Sequence, residues 1–274
     1  MSFLLQPLFS GSRGNATYVE AGDVRVLVDA GCTRARLEQA LADVGRDPAS
    51  LDAILVTHEH TDHISGLDLF AARHGVKVYA NAETWAAMAP RMKRMAPSQQ
   101  VIVDTDSDFC IRGLNIETYE KPHDSARSLG FGFYCGGVRA AVITDLGFLP
   151  PRLLGRLMGC ELLLMESNHD EHMLLYGAYP PMLKKRILGR KGHLSNKACA
   201  EALPALAAAG ARQIALGHLS DENNRPELAL ETSTHALEEA GFAPRNGVVR
   251  LLVAGQDGPC EPLTTARTLV RGIG

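Results

Sequence analysis

LVTHEHTDHISGL, residues 55–67, is the most informative segment of this chain, because an apolar strand ends there in a dense group of metal-binding side chains. His58, His60, Asp62 and His63 fall within six positions. Successive side chains of a strand alternate between its faces, so the first three lie on one side of an extended segment. His63 can reach the same point as the chain enters a helix. Borderline divalent cations prefer such converging nitrogen and oxygen ligands, so the segment predicts a metal site.

Short apolar runs alternate with helical patterns along the whole chain, which indicates an α/β fold. The strand-like runs are VRVLVDAG (24–31), LDAILVTH (51–58), VKVYA (76–80), RAAVITD (139–145), ELLLMES (161–167), RQIALGH (212–218) and VVRLLVA (248–254). Residues 16–31 predict a β-hairpin that turns at Gly22 and Asp23, which is more antiparallel than a doubly wound fold allows. We therefore expect mixed sheets covered by helices, in a single domain over residues 1–274.

The composition limits the classes of partner and compartment. The formal net charge is −3, so any contact with a polyanion must come from a local basic patch, and the one charge run is KKRILGRK at residues 184–191. Six cysteines are scattered without a CxxC pair. The first residues lack a signal-peptide pattern, and no apolar run is long enough to span a membrane. These features predict a cytoplasmic protein without a membrane anchor.

The segment at residues 58–63 resembles the HxHxDH signature of the metallo-β-lactamase superfamily, and further residues follow that family's pattern in order. They are Asp29 in VLVDAG, His123 in EKPHDS, Asp145 in AVITDLG and His218 in IALGHLS. The resemblance spans most of the chain. It implies a four-layer αββα sandwich, in which two mixed sheets are covered by helices on both outer faces.

The same resemblance implies two divalent metal ions. It assigns His58, His60 and His123 to one ion, Asp62, His63 and His218 to the other, and Asp145 to a bridging position between them. Asp29 is expected behind the ligands, where it orients one of them. Histidine-rich ligation suits Zn²⁺, whereas the carboxylates also admit Mn²⁺ or iron.

A second histidine signal lies between Glu166 and His218. The order of Glu166, His193 in the segment GHLS, and His218 is similar to that in the nucleolytic branch containing ribonuclease J and the mRNA 3′-end cleavage factors. Ser195 is a good N-cap for the helix that follows, so the positive end of a helix dipole would face the surroundings of His193. This arrangement predicts a phosphate site served by His193, Ser195 and the neighbouring Lys191, with Glu166 holding the ring of His193. The alternative is an ordinary loop before a capped helix.

Several segments together resemble the YycJ/WalJ subgroup of the superfamily. They are LFSGSRGNATYVE, ESNHD, GHLSN and LGHLSDENNRPELA. The glycines of SGSRGN would allow a tight turn that brings Ser12 and Asn15 toward the metals or a phosphate, although an ordinary hairpin turn would look the same. Only 26 residues separate Glu166 from His193, which leaves no room for the β-CASP-type domain that ribonuclease J carries over its active site.

These resemblances imply a dinuclear metal-dependent phosphodiesterase. The subgroup is associated with 5′ to 3′ exonuclease activity on DNA, in which metal-bound hydroxide attacks phosphorus, and a nucleic acid substrate, DNA in particular, is therefore expected. Asp62, Glu166 and His193 are the predicted catalytic residues. Two alternatives remain open at this stage: a small-molecule hydrolase of the same fold, such as a cyclic phosphodiesterase or a thioesterase, and a metal-binding protein without turnover. The oligomeric state is not predicted.

Overall fold

Two sheets of seven strands each form the centre of the protein over residues 2–265, which are the residues that the computed structural model describes. The strands are β1 (Phe3–Phe9), β2 (Ala16–Ala21), β3 (Val24–Val28), β4 (Ala53–Leu55), β5 (Lys77–Ala80), β6 (Gln100–Ile102), β7 (Asp108–Ile111), β8 (Leu114–Glu120), β9 (Leu129–Cys135), β10 (Val138–Ile143), β11 (Leu162–Glu166), β12 (Gln213–Gly217), β13 (Arg250–Val253) and β14 (Leu263–Thr264). The first sheet has the order β14-β1-β2-β3-β4-β5-β6, and the second has the order β13-β12-β11-β10-β9-β8-β7.

Helices cover the outer face of each sheet. They are α1 (Arg34–Asp43), α2 (Thr61–Ile64), α3 (Leu67–His74), α4 (Ala82–Met88), α5 (Pro151–Leu157), α6 (Glu171–Tyr176), α7 (Pro181–Ile187), α8 (Asn196–Ala208) and α9 (Pro226–Glu239). Helices α1, α3 and α4 pack on the first sheet, and α5, α8 and α9 pack on the second. The predicted four-layer sandwich is therefore confirmed. None of the helices in the described part of the chain is long and apolar enough to cross a membrane.

The strands in the middle of each sheet read as continuous apolar runs because both of their faces are buried. In β3, Val26 and Val28 point into the core between the sheets, whereas Leu27 packs under the outer helices. In β11, Leu164 faces the inner core and Leu163 faces α8 and α9. Because side chains alternate between the two faces of a strand, each of these strands contributes both to the core between the sheets and to a core under the outer helices.

The hairpin predicted at Gly22 and Asp23 is present, since β2 and β3 pair antiparallel with Ala21 opposite Val24. Each predicted strand-like run contains a strand of the structure. The sequence did not predict β1, β6, β7, β8, β9 or β14. The basic run at residues 184–191 also fits a solvent-exposed helix face, and its first half lies in α7. The expectation of one domain over residues 1–274 extends to Met1 and to residues 266–274, which lie outside the described residues.

Parallel pairing decides where the polar side chains collect. Strands β3 and β4 are parallel, and so are β10, β11 and β12, so the carboxyl ends of each set meet at one edge of their sheet. Asp29, Asp145 and His218 follow β3, β10 and β12 within two residues, and Glu166 ends β11. In open α/β sheets the ligand site lies outside the carboxyl ends of the strands.

Candidate active site

Three imidazoles converge at the first candidate metal position. His58 Nε2 lies 3.1 Å from His60 Nδ1, and His123 Nε2 lies 3.4 Å from the same atom. His123 Nδ1 is 3.2 Å from the carbonyl oxygen of Gly192, so a proton on Nδ1 leaves Nε2 with a free lone pair. Burial lowers the pKa of His58 well below its usual value and that of His123 to about 3, so both rings stay neutral and able to bind a cation.

Two carboxylates and two further imidazoles lie beside this cluster. Asp62 Oδ2 is 3.5 Å from His63 Nε2 and 3.7 Å from His218 Nε2. Asp145 is 3.4 Å from His63 Nε2 through Oδ2, and 3.3 Å from His218 Nε2 through Oδ1. The same Oδ1 is 3.9 Å from His123 Nε2. Asp145 therefore lies between the two groups of imidazoles, where the sequence predicts a bridging ligand.

The donor set fits divalent cations. Asp145 Oδ2 and His218 Nε2 are buried and have no hydrogen-bond partner, which is costly unless another species satisfies them. Burial alone would lower the pKa of His63, but Asp145 and Asp29 outweigh it and raise that pKa to about 10. A pKa this high indicates that the site strongly attracts positive charge. Imidazole nitrogens and carboxylate oxygens are the ligands that zinc and manganese accept.

Asp29 supports the centre from behind. Its Oδ1 accepts a hydrogen bond from the backbone of Thr57 at 2.8 Å, and its Oδ2 accepts one from the Thr57 hydroxyl at 2.8 Å. Oδ2 also lies 2.7 Å from His63 Nδ1, an arrangement that fixes the ring and leaves Nε2 toward Asp62 and Asp145. Through these contacts Asp29 would orient His63 if that residue binds a metal ion.

The backbone is left-handed at three of these positions. The φ angles of Asp29, Asp145 and His218 are 62°, 59° and 56°. Such a conformation in a residue other than glycine costs on the order of 1–3 kcal/mol and persists where the surroundings enforce it. Each residue turns the chain sharply at a strand end, so the side chain points across the sheet edge.

Glu166 connects the candidate ligands to His193. Its Oε1 lies 2.8 Å from His193 Nδ1 and 2.9 Å from His218 Nδ1, while its Oε2 accepts hydrogen bonds from the backbones of Leu146 and Leu194. Burial would raise the pKa of this carboxyl group, but the charges and hydrogen bonds of His193 and His218 outweigh it and lower the pKa to about 2. The sequence suggested that Glu166 holds only His193. The structure adds that it also orients a candidate metal ligand.

His193 lies at the open side of the centre. Its ring centroid is 5.2 Å from those of both His123 and His218. Its side chain is 19% exposed, compared with 4% for His218 and 1% for His123. With Nδ1 held by Glu166, Nε2 is left for a molecule that enters from solvent.

The N-terminus of α8 offers fewer free donors than the sequence suggested. Ser195 is the N-cap and accepts a hydrogen bond from the backbone of Ala198 at 3.2 Å, while its hydroxyl donates to Glu171. The backbone N–H of Asn196 is bound to the carbonyl oxygen of His169. These contacts engage the Ser195 hydroxyl and the backbone N–H groups of Asn196 and Ala198, whereas Nε2 of His193 remains available.

The turn at residues 11–15 lies against the metal ligands. Asn15 Nδ2 is 3.1 Å from His63 Nε2 and 3.4 Å from Asp62 Oδ2, so Asn15 positions the ligands, whereas Ser12 is exposed on the turn. A Cβ atom on Gly31 would lie 1.7 Å from the carbonyl oxygen of Asp62. Only glycine allows this approach, which joins the turn to the histidine-rich loop.

Two residues that support the candidate metal centre were not predicted from the sequence. Lys121 is 3% exposed, and its Nζ donates a hydrogen bond of 2.9 Å to the carbonyl oxygen of Asp145. Asn168 donates through Nδ2 to the carbonyl oxygen of His218 at 2.7 Å. Both contacts hold the turns that carry candidate ligands. A lysine directly after a strand and an asparagine in a polar loop give no sequence signal for such roles.

Helix α7 places basic residues beside the centre. Arg186 forms an ion pair with Asp124, the residue that follows His123. Lys185 and Lys191 are exposed. Arg186 therefore lies close to the candidate ligand His123.

Comparisons with known proteins agree with this geometry. Residues 24–219 match the family model described as the beta-lactamase superfamily domain. The chain is 37% identical over 242 residues to exodeoxyribonuclease WalJ of Streptococcus pneumoniae serotype 2 (strain D39 / NCTC 7466), which covers 88% of this chain and 90% of that protein. It is 36% identical over 235 residues to exodeoxyribonuclease YycJ of Bacillus anthracis, covering 86% and 89% of the two chains. The metallo-beta-lactamase fold protein YhfI from Bacillus subtilis has a similar fold, with a TM-score of 0.68 at 16% identity over 96% of this chain and 99% of that one.

Proposed function

This chain belongs to the beta-lactamase superfamily domain family and is a relative of the WalJ and YycJ exodeoxyribonucleases, and from this we propose that it is a metal-dependent exonuclease that degrades DNA in the 5′ to 3′ direction. One observation carries the proposal: Asp145 lies within 3.9 Å of His63, His123 and His218, between the two groups of candidate ligands, and Glu166 holds His193 beside them. We treat residues 1–274 as one domain, which the shared core between the two sheets supports.

The proposed assignment has two divalent ions, Zn²⁺ or Mn²⁺ with iron as a further possibility. His58, His60 and His123 would hold one ion, and Asp62, His63 and His218 the other, with Asp145 between them. When bound, such a pair lowers the pKa of a water molecule and neutralises charge that develops on phosphate oxygens. Asp29, Glu166 and the Gly192 carbonyl would then keep the ligand nitrogens directed at the ions.

His193 is proposed to act on the substrate. Since its Nδ1 is held by Glu166, its Nε2 can donate a hydrogen bond to a nonbridging phosphate oxygen or a proton to the departing oxygen. The side chain of His193 is 19% exposed, compared with 1% for His123 and 4% for His218, so a substrate can reach it from solvent.

Polymeric substrate is supported by the charge distribution. Lys185, Arg186 and Lys191 project from α7 and the loop after it, beside the metal-binding edge, where the phosphates of a strand could follow them.

The buried thiols of Cys32, Cys160 and Cys199 take part in no disulfide, which suits a reducing compartment such as the cytoplasm, where DNA is present. Ser12, Asn15 and Ser195 remain proposed substrate-side residues, although Asn15 and Ser195 mainly contact other side chains.

The experiment is digestion of end-labelled, 5′-phosphorylated single- and double-stranded DNA in Mn²⁺, together with elemental analysis of protein purified without chelators. We expect close to two metal ions per chain and stepwise shortening from the 5′ end. The variant Asp62→Ala should lose most of the bound metal and most of the DNA degradation. Equal inactivity of wild type and variant on DNA, with wild-type turnover of a compact phosphodiester or thioester, would instead identify a small-molecule hydrolase.

A further inference from the structure

Helices α6 and α7 carry an exposed apolar surface. Residues 171–188, here called the α6–α7 hairpin, comprise both helices and the residue that ends α7. Four of the eight exposed large apolar side chains in residues 2–265 lie in this hairpin: Leu175, Tyr176, Met182 and Leu188. Tyr176 and Met182 are 77% and 78% exposed, the two highest values among those eight. Single exposed apolar residues are common, but a group of them marks a surface that contacts another molecule.

Side-chain contacts hold the hairpin together. Lys184 of α7 donates hydrogen bonds from Nζ to the carbonyl oxygens of Leu175 and Gly177, at 2.8 and 2.7 Å. Lys184 thereby holds α7 against the end of α6 that carries Tyr176. The ring centroid of Tyr176 lies 4.5 Å from that of His172, one turn earlier in α6. The hairpin therefore presents a supported pair of rings to solvent.

Positive charge surrounds these apolar side chains. The sequence has no Asp or Glu between Glu171 and Glu201, whereas six Lys and Arg residues occur there: Lys184, Lys185, Arg186, Arg190, Lys191 and Lys197. Met182 precedes Lys185 and Arg186 by three and four positions, so these residues are neighbours on one face of α7. All three are exposed. A ligand of this surface must therefore combine negative charge with apolar area.

The hairpin leads directly into the candidate active site. The backbone N–H of His193 donates a hydrogen bond of 3.0 Å to the carbonyl oxygen of Ile187, the last residue of α7. The carbonyl oxygen of Gly192, in the same turn, lies 3.2 Å from Nδ1 of His123. A polymer that lies on the hairpin can therefore extend to the open side of the centre, where His193 is exposed.

An unpaired DNA strand has the chemistry that this surface requires. Its phosphates are anionic, and the faces of its bases are apolar and stack on aromatic side chains. In a duplex the bases stack on one another, so Tyr176 and Met182 would meet only sugars and phosphates. A second copy of this chain would bring the cationic side chains of two hairpins together. An anionic bilayer seated on the hairpin would also cover His193, which the substrate has to reach.

We propose that the α6–α7 hairpin binds unpaired bases of the DNA substrate, with Tyr176 and Met182 against the base faces and Lys185 against a neighbouring phosphate. The proposal rests on the function proposed above and specifies the form in which DNA enters the site: a single strand, or a duplex end whose bases have separated. Base stacking tolerates any sequence, because every base has an apolar face. The hairpin thus holds a strand of any sequence while a phosphodiester lies next to His193.

The experiment compares two fluorescently labelled oligonucleotides of equal length and charge, a normal single strand and an abasic strand. Binding to the cleavage-deficient Asp62→Ala protein is measured by fluorescence anisotropy. We expect the abasic strand to bind at least about tenfold more weakly. Adding Tyr176→Ala should weaken binding of the normal strand at least about fivefold and leave binding of the abasic strand unchanged. Met182→Ala should act in the same direction.

Two control variants accompany this measurement. Tyr176→Phe keeps the ring and should bind both strands as the parent protein does. Tyr134→Ala removes another exposed tyrosine, which is 45% exposed and lies at the end of β9 remote from the loop at residues 121–128. It should change the affinity for neither strand, because Tyr134 lies outside the hairpin.

Equal affinity for the normal and the abasic strand would overturn the proposal, and so would unchanged affinity for the normal strand in Tyr176→Ala. A wild-type dimer that Tyr176→Ala dissociates would show that a second copy covers the hairpin. Binding to vesicles of anionic phospholipid that Tyr176→Ala abolishes would show that a bilayer does. Either result would also overturn the proposal.

Digestion of the normal strand separates this proposal from the proposed function. In otherwise wild-type protein, Tyr176→Ala should raise KM for the strand at least about fivefold and leave kcat unchanged. If the wild type degrades DNA and Tyr176→Ala degrades it equally fast at every DNA concentration, the hairpin assignment alone is wrong. If the wild type degrades no strand, the exonuclease assignment is wrong, and the anisotropy measurement still decides whether the hairpin binds bases.

Discussion

Replacement of Glu166 by glutamine tests how the centre is held together. Glu166 is fully buried and accepts four hydrogen bonds, two on each oxygen. Glutamine has nearly the same shape, but its amide nitrogen donates rather than accepts. Whichever oxygen the nitrogen replaces, it faces two groups that also donate.

The orientation of this amide follows from its partners. The backbone N–H groups of Leu146 and Leu194 cannot change their role, so they retain the carbonyl oxygen. The nitrogen then faces Nδ1 of His193 and Nδ1 of His218. To accept from it, His218 must move its proton to Nε2, the atom proposed to bind metal.

The Glu166→Gln substitution should weaken metal binding and lower the free energy of unfolding. Supporting residues behind metal ligands contribute 10–100-fold in affinity, so we expect the second metal to bind about 10–100-fold more weakly. Hydrogen bonds to charged groups contribute about 1.5–3 kcal/mol, and replacing the carboxylate should lower the free energy of unfolding by about that amount without preventing folding.

The assay for Glu166→Gln combines competition titration with a metal-sensitive dye, thermal unfolding of the metal-free protein, and digestion of end-labelled DNA. Glu20→Gln is the control, because Glu20 is a half-buried carboxylate of the first sheet that pairs with arginines away from the centre. The reasoning is refuted if Glu166→Gln folds, binds both metals with wild-type affinity and degrades DNA at the wild-type rate.

Three further outcomes are expected. His193→Ala should retain both metals by elemental analysis and lose about 10²–10⁴-fold in the rate of DNA degradation; loss of metal would show that His193 is a ligand. Removal of metal by a chelator should lower the unfolding temperature reversibly, since metal present at 100 times its dissociation constant stabilises the folded state by about 2.7 kcal/mol, and an unchanged temperature would contradict a bound pair. Lys185→Glu should weaken DNA binding and make it less dependent on salt concentration, whereas Lys77→Glu, at an exposed position of β5, should not; equal effects would place the DNA elsewhere.

Sequence patterns and the family resemblance predicted the architecture and a set of candidate metal ligands. Alternating apolar runs predicted mixed sheets under helices, because a buried strand and an amphipathic helix have different periods. The HxHxDH segment, Asp29, His123, Asp145 and His218 were all recognisable, since each ends or follows a strand in a recurrent order. The resemblance to the metallo-β-lactamase superfamily, carried by these motifs, was sufficient to propose them as ligands.

The contacts between these groups are visible only in the tertiary structure. Glu166 and His218 are 52 positions apart, and they meet because β11 and β12 are parallel neighbours. The support of Asp145 by Lys121 likewise depends on which loops lie side by side. Long-range packing sets which strands are neighbours, and no local pattern encodes it. The contacts of Ser195 with Glu171 and of Asn196 with His169 are likewise visible only in the folded chain.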